Sequence, residues 1–122
     1  MSLVNVAVLL VAGSSLPTTG DPPAGAPSGV NVAAYGSPTQ VRVYWTNGDT
    51  DAYTRVYTKA GGCSGGATLV HTAEPGVTSF DSSVNWGGTG TGITTGWICR
   101  HYRNGVESAD SNCVTSTEGD QF

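Results

Sequence analysis

Charge is scarce in this chain, and positive charge is scarcest. Five Lys and Arg stand against nine Asp and Glu in 122 residues, charged residues make up 11%, and the formal net charge is −4. Binding along a phosphate backbone needs a basic surface to displace counterions, so nucleic acid is not an expected partner. Helical spacing of apolar residues is also missing. β-branched and aromatic residues fall instead in short clusters between turn residues, with 18 glycines, which argues for an all-β chain. No apolar run reaches the roughly 20 residues that a membrane-crossing helix needs, so no membrane span is expected. The three cysteines, Cys63, Cys99 and Cys113, show neither CxxC nor Cys/His ligand spacing, and no metal site is expected. There is no Gly-x-Ser-x-Gly, and no serine is placed with a His and an Asp to orient it. The expectation is a non-enzymatic protein with no catalytic residues and no cofactor.

What is present divides the chain in three: an extended apolar arm and a Pro/Gly-rich linker over 1–26, one β domain over 27–116, and a polar tail over 117–122. The domain is long enough to enclose a core without staples. The arm carries Leu3, Val4, Val6, Val8, Leu9, Leu10 and Val11, interrupted only by Asn5 and Ala7. Its β-branched residues favour an extended strand. Val11 to Ser15 has the look of a secretory cleavage region, yet no Lys or Arg precedes the apolar stretch, so a retained arm is expected and a removed signal is the alternative. An apolar strand outside the domain must be covered. It pairs with an open sheet edge of its own domain or of a neighbouring subunit, or it lies on a partner's surface. Pro17, Pro22, Pro23 and Pro27 make the following segment an extended linker.

Within the domain, Val30 and Val32 share one face of a first strand. Val41, Val43 and Trp45 alternate with Arg42 and Tyr44 in a second, the period of a half-buried strand with Trp45 at the centre of the core. The cluster from Asn47 to Asp51 lacks the spaced acids of a calcium loop and reads as a turn that bonds its own backbone. A third strand spans Tyr53 to Lys59 with Val56 inward, and Gly61 to Gly66 is a flexible connection into a strand from Ala67 to Thr72. Val77 to Asp81 follows with Phe80 buried. A Gly-rich loop from Asn85 to Thr95 leads to the strand Trp97 to Tyr102, which turns at Asn104-Gly105, the favoured hairpin dipeptide, into a last strand near Ser111 to Ser116. His71 and His101 are the only histidines, and His101 reads as a core histidine. Cys99 faces the core as a small hydrophobe, and alternation turns Cys113 the other way, which argues against a bridge between them. Reduced thiols, and hence folding in a reducing cytoplasm, are expected.

The Val-x-Val-x-Trp of the second strand, the Thr78-Ser79-Phe80 strand and the closing hairpin resemble the fibronectin type III family, over about the last three quarters of the chain. The resemblance implies a seven-stranded, Ig-like β-sandwich, with Trp97 standing in for part of the family's tyrosine corner. Trp45 to Asp49 and Arg100 to Ala109 resemble variants of the fold in bacteriophage structural proteins and environmental surface proteins. In the implied topology the strands of Tyr53, Arg55 and Tyr57 and of Ile98, Arg100 and Tyr102 are neighbours, and alternation puts these residues on the outer face. The resulting patch of Tyr53, Arg55, Tyr57, Arg100 and Tyr102 suits a protein interface or stacking on host-surface glycans, or it simply stabilises a solvated sheet. The leading expectation is a virion protein assembled in the host cytoplasm, a capsid decoration protein or small tail or collar component. Its partners would be capsid or tail proteins and copies of itself. A secreted or cell-surface module that binds carbohydrate or acts as a spacer, and a filament subunit that donates its arm as a strand, are the alternatives.

Overall fold

The computed structural model describes residues 22–35, 40–85 and 92–118. Every regular element among them is a strand: β1 (Ser28–Tyr35), β2 (Gln40–Thr46), β3 (Tyr53–Ala60), β4 (Ala67–Ala73), β5 (Ser79–Asn85), β6 (Thr94–Arg103), β7 (Val106–Glu107) and β8 (Val114–Thr117). One sheet has the order β1-β2-β5; the other runs β4-β3-β6, with β7 and β8 both on the far side of β6. All pairings are antiparallel.

Alternation decides which side chains meet between the sheets. Val41, Val43 and Trp45 of β2 are buried against Val56 of β3 and Trp97 and Cys99 of β6, with Val30 and Ala73 closing the cluster. Trp45 is 4% exposed, and its indole Nε1 donates to Asn47 Oδ1 at 2.9 Å. Trp97 is fully buried and donates from Nε1 to Ser116 Oγ at 2.9 Å, which ties the core of β6 to β8. Phe80 departs from the expectation. It is half-buried at the rim, stacked on His71 of β4 with ring centroids 4.1 Å apart, because its strand lies at the edge of the smaller sheet.

The described residues form eight strands in place of the seven expected, because the last one is broken. Asn104 and Gly105 both take positive φ, 53° and 82°, so the hairpin closes in two residues and sets Tyr102 opposite Glu107. Farther along, Trp97 faces Val114, so five steps on β6 are matched by seven on its partner. The surplus is absorbed by two serines. Ser108 Oγ accepts from the His101 amide at 2.9 Å and Ser111 Oγ from the Cys99 amide at 2.8 Å, side-chain oxygens standing where strand carbonyls would. Next to them Asn112 reaches across to β1, accepting from the Val30 amide and donating to the Val30 carbonyl, both at 2.9 Å.

The thiols are not all reduced, and this corrects the sequence reading. Cys63 and Cys113 form a disulfide across 50 residues of chain, while Cys99 is free and buried, its thiol pushed up to about 12 by desolvation. No bridge joins Cys99 to Cys113, as expected from their opposite faces. The partner overlooked was Cys63. Its connection is not loose: Gly61 donates to the Thr94 carbonyl at 3.0 Å, and the backbone of Gly62 and Cys63 passes over Gly96 so closely that a Cβ there would lie 2.9 Å from the Gly62 carbonyl carbon. Since Gly96 pairs with Thr115 of β8, this crossing delivers Cys63 beside Cys113. The ground for expecting a reducing cytoplasm is thereby removed.

The chain is also tied down at both limits of the domain. Ala24 donates to Asp49 Oδ2 at 2.9 Å and Arg103 Nη2 to the Pro22 carbonyl at 2.8 Å, so residues 22–24 lie on the loop between β2 and β3. At the other limit β8 runs through Thr117, and Glu118 pairs its backbone with Gly92 and Ile93.

Candidate functional site

The outer face of the larger sheet gathers the aromatic and arginine residues singled out in the sequence. β3 and β6 pair in a register that sets Tyr53 opposite Tyr102, Arg55 opposite Arg100 and Tyr57 opposite Ile98. The two arginines sit directly across from each other, an unfavourable placement unless something separates their charges. The answer is Glu107, which the two-residue hairpin places next to Tyr102. Its carboxylate accepts from Arg55 Nη1 at 2.8 Å, from Arg100 Nη1 at 3.0 Å and from the Tyr57 hydroxyl. Arg100 also donates from Nε to Asp110 Oδ1 at 2.6 Å. Each guanidinium then lies over a ring on the opposite strand, Arg55 over Tyr102 at 3.7 Å and Arg100 over Tyr57 at 4.4 Å from the centroid.

The electrostatics follow from this geometry. Partial burial alone raises the Glu107 carboxyl, but the hydrogen bonds from Tyr57, Arg55 and Arg100 outweigh it and hold the group below the usual carboxylate range. Desolvation, with the bond to Glu107, raises the Tyr57 phenol. The hydrogen bond to Asp110 and then that to Glu107 raise Arg100 despite burial. Two cations and two anions share the cluster, so it presents ring faces and polar edges with no net charge.

The expected patch is therefore assembled, with two differences. Tyr57 is 8% exposed and Ile98 1%, so both support the face from below; Tyr53, at 39%, is its open aromatic. Arg55, Arg100 and Tyr102 are half-buried. Leu69 of β4, opposite Tyr57 on the other side of β3, extends the face with an apolar side chain that is 45% exposed. Glu107 and Leu69 went unnoticed in the sequence. A signal for Glu107 was present: a two-residue Asn-Gly hairpin pairs the residues flanking it, and the next pair outward is Tyr102 with Glu107.

A second constellation lies at the end of the sandwich where Pro22 and Ala24 are held. His101 is fully buried; its Nε2 accepts from the amides of Gly48 and Asp49 at 3.0 and 3.3 Å, which leaves Nδ1 as the donor to the Tyr53 carbonyl at 3.2 Å. The ring thus holds the turn between β2 and β3 in place, the core role expected of it. Asp49, 8% exposed, accepts from the amides of Ala24 and Asp51 and pairs with Arg103 at 3.1 Å. These two amide bonds, more than the arginine, draw its carboxyl below the usual range against the opposing cost of burial. The Asn47 to Asp51 cluster is the self-bonded turn read from the sequence.

Among the described residues no group of three or more His, Cys, Asp or Glu side chains is arranged to hold a metal ion, and no helix is long and apolar enough to cross a membrane. The arm residues Leu3, Val4, Val6, Val8, Leu9, Leu10 and Val11 lie outside the described residues.

No family model and no curated protein matches this sequence. Among solved structures the chain is similar to an Fn3-like protein from Clostridium thermocellum, at 19% sequence identity over 75% of this chain and 88% of that one, with a TM-score of 0.60. At that identity the likeness speaks for architecture alone: the chain has the fold of a fibronectin type III-like, Ig-like β-sandwich.

Proposed function

We propose that this chain is a non-enzymatic display module of a virion, a capsid decoration protein or small tail or collar component, whose domain works on the oxidising outer side of the particle. The Cys63–Cys113 bridge carries the reading, because disulfides persist on virion and cell surfaces, in the periplasm and outside the cell, and are rare in reducing cytoplasm. The bridge closes after release or on the assembled particle. Support for an anchored domain comes from the linker, whose last residues are held by Asp49 and Arg103, so the chain enters the domain at one fixed end. The apolar arm is the proposed anchor on capsid or tail proteins or on a sister copy.

A second reading, a secreted or cell-surface module, is favoured by one observation: the face around Tyr53 and Tyr102 offers aromatic rings beside polar groups without net charge, a composition suited to glycans. Mass spectrometry of purified particles and of culture supernatant separates the two. Peptides covering 1–21 at fixed stoichiometry to the major shell protein support the virion. A chain found only in the supernatant and starting near Gly13 contradicts it.

A further inference from the structure

Sheet edges are liabilities that folded proteins block, and three of the four edges here are blocked visibly. On β1, the Asn112 side chain occupies both the amide and the carbonyl of Val30, and the Asn31 side chain takes the Val32 amide. On β5, Asp81 brings a charge, and a bulge kinks the strand, since Arg42 faces Asp81 while Gln40 faces Asn85. The edge formed by β7 and β8 is broken by the stretch of Ser108 to Cys113, which carries Asp110 and the disulfide. β4 is the least guarded: it carries one bulge, at Val70, where Val56 faces His71 and Tyr57 faces Leu69, and no capping side chain among the described residues. From Ala67 to Ala73 it holds no charged residue and no proline, and Leu69 and Val70 are 45% and 44% exposed. Beside it opens a cavity of about 310 Å³ lined by Thr58, Thr68, Val70, Val84, Ile93 and Thr94 among others, so side chains added at this edge would meet apolar and methyl groups.

We infer that the β4 edge is a strand-docking site and that its occupant in the free protein is the segment Leu3 to Val11 of the same chain. The inference rests on the reading of the arm as a retained anchor and says where it is kept before it finds a partner. Three observations select this occupant. The segment is nine residues long against seven for β4, and it is uncharged and apolar at alternate valines. Pro22 sits at the end of the sandwich where β4 finishes, since Ala73 pairs with Thr54 and Thr54 with His101, the residue holding the turn on which the linker lies. Crossing from β6 over β3 and β4 to a new strand is about 14 Å, three strand spacings. Residues 12–21 reach at most about 33 Å, so the tether is ample and the effective concentration of the arm high. The segment would then run parallel to β4.

Hydrogen–deuterium exchange on the full chain tests this. β4 amides should exchange about tenfold more slowly in the native chain than in a Val6→Asp, Val8→Asp variant, which leaves the domain untouched. The protection should not depend on protein concentration, and the protein should sediment as a monomer. A Val70→Lys chain, charged at the lip of the cavity, should keep its near-UV circular dichroism while its arm becomes as protease-sensitive as in the double variant. Equal β4 exchange in native and double-variant chains overturns the inference, as does an arm whose protease resistance survives Val70→Lys. Protection that rises with concentration together with a dimer also overturns it and assigns the edge to a second copy. Particle mass spectrometry, which tests the virion reading, is independent of all these outcomes.

Discussion

At the scale of single residues, the polar groups that matter most here are those that hold irregular backbone. Asp49 satisfies two amides and one guanidinium from a nearly buried position, so Asp49→Ala strands the amides of Ala24 and Asp51 and leaves Arg103 with the Pro22 carbonyl alone. A loss of about 2–3 kcal/mol is expected in urea unfolding, above the cost of an ordinary surface substitution. The same carboxylate sets an acid limit. Its folded value is depressed, so its contribution is complete above the unfolded value near 3.9 and is lost as pH falls from there through the folded value. Glu107 acts in the same direction. The urea midpoint should therefore hold steady from pH 7 to about 5 and fall steeply below 4, and the fall should be shallower in a chain carrying Asp49→Asn. In the core, Trp45→Ala should cost about 3–5 kcal/mol, since the ring is enclosed by both sheets and leaves a cavity. An unchanged unfolding midpoint would contradict the packing described.

At the scale of elements, regular strands were legible and irregular ones were not. Val41, Val43 and Trp45 announce β2 because period two on a buried face leaves one register. The outer face of β3 and β6 was readable for the same reason. What sequence could not give was the interrupted β7–β8 edge, where serine hydroxyls replace carbonyls, because side-chain substitutes for ladder bonds leave no periodicity. The path of Gly61 to Gly66 was hidden too: six residues read as flexible are fixed by a close backbone crossing that only Gly96 permits. Gly96→Ala thus tests the element directly. With backbone atoms at 2.9 to 3.1 Å from the added methyl, it should destabilise by about 1–3 kcal/mol and loosen the loop bearing Cys63.

At the scale of the whole molecule, the disulfide joins the β3–β4 connection to the last strand and makes one closed unit of the larger sheet. Closing 50 residues of chain stabilises the fold by about 4 kcal/mol in the chain-entropy account, so Cys63→Ser should lower the unfolding midpoint and reductant should have no further effect on that variant. The bridge is also what connects fold to setting. The measurement that bears most directly on the display proposal is a non-reducing peptide map of the protein taken from purified particles, after alkylation under denaturing conditions. The expected result is one crosslinked pair containing Cys63 and Cys113, with Cys99 alone alkylated. Three alkylated cysteines in particle-borne protein would contradict both the bridge and the outward-facing role built on it.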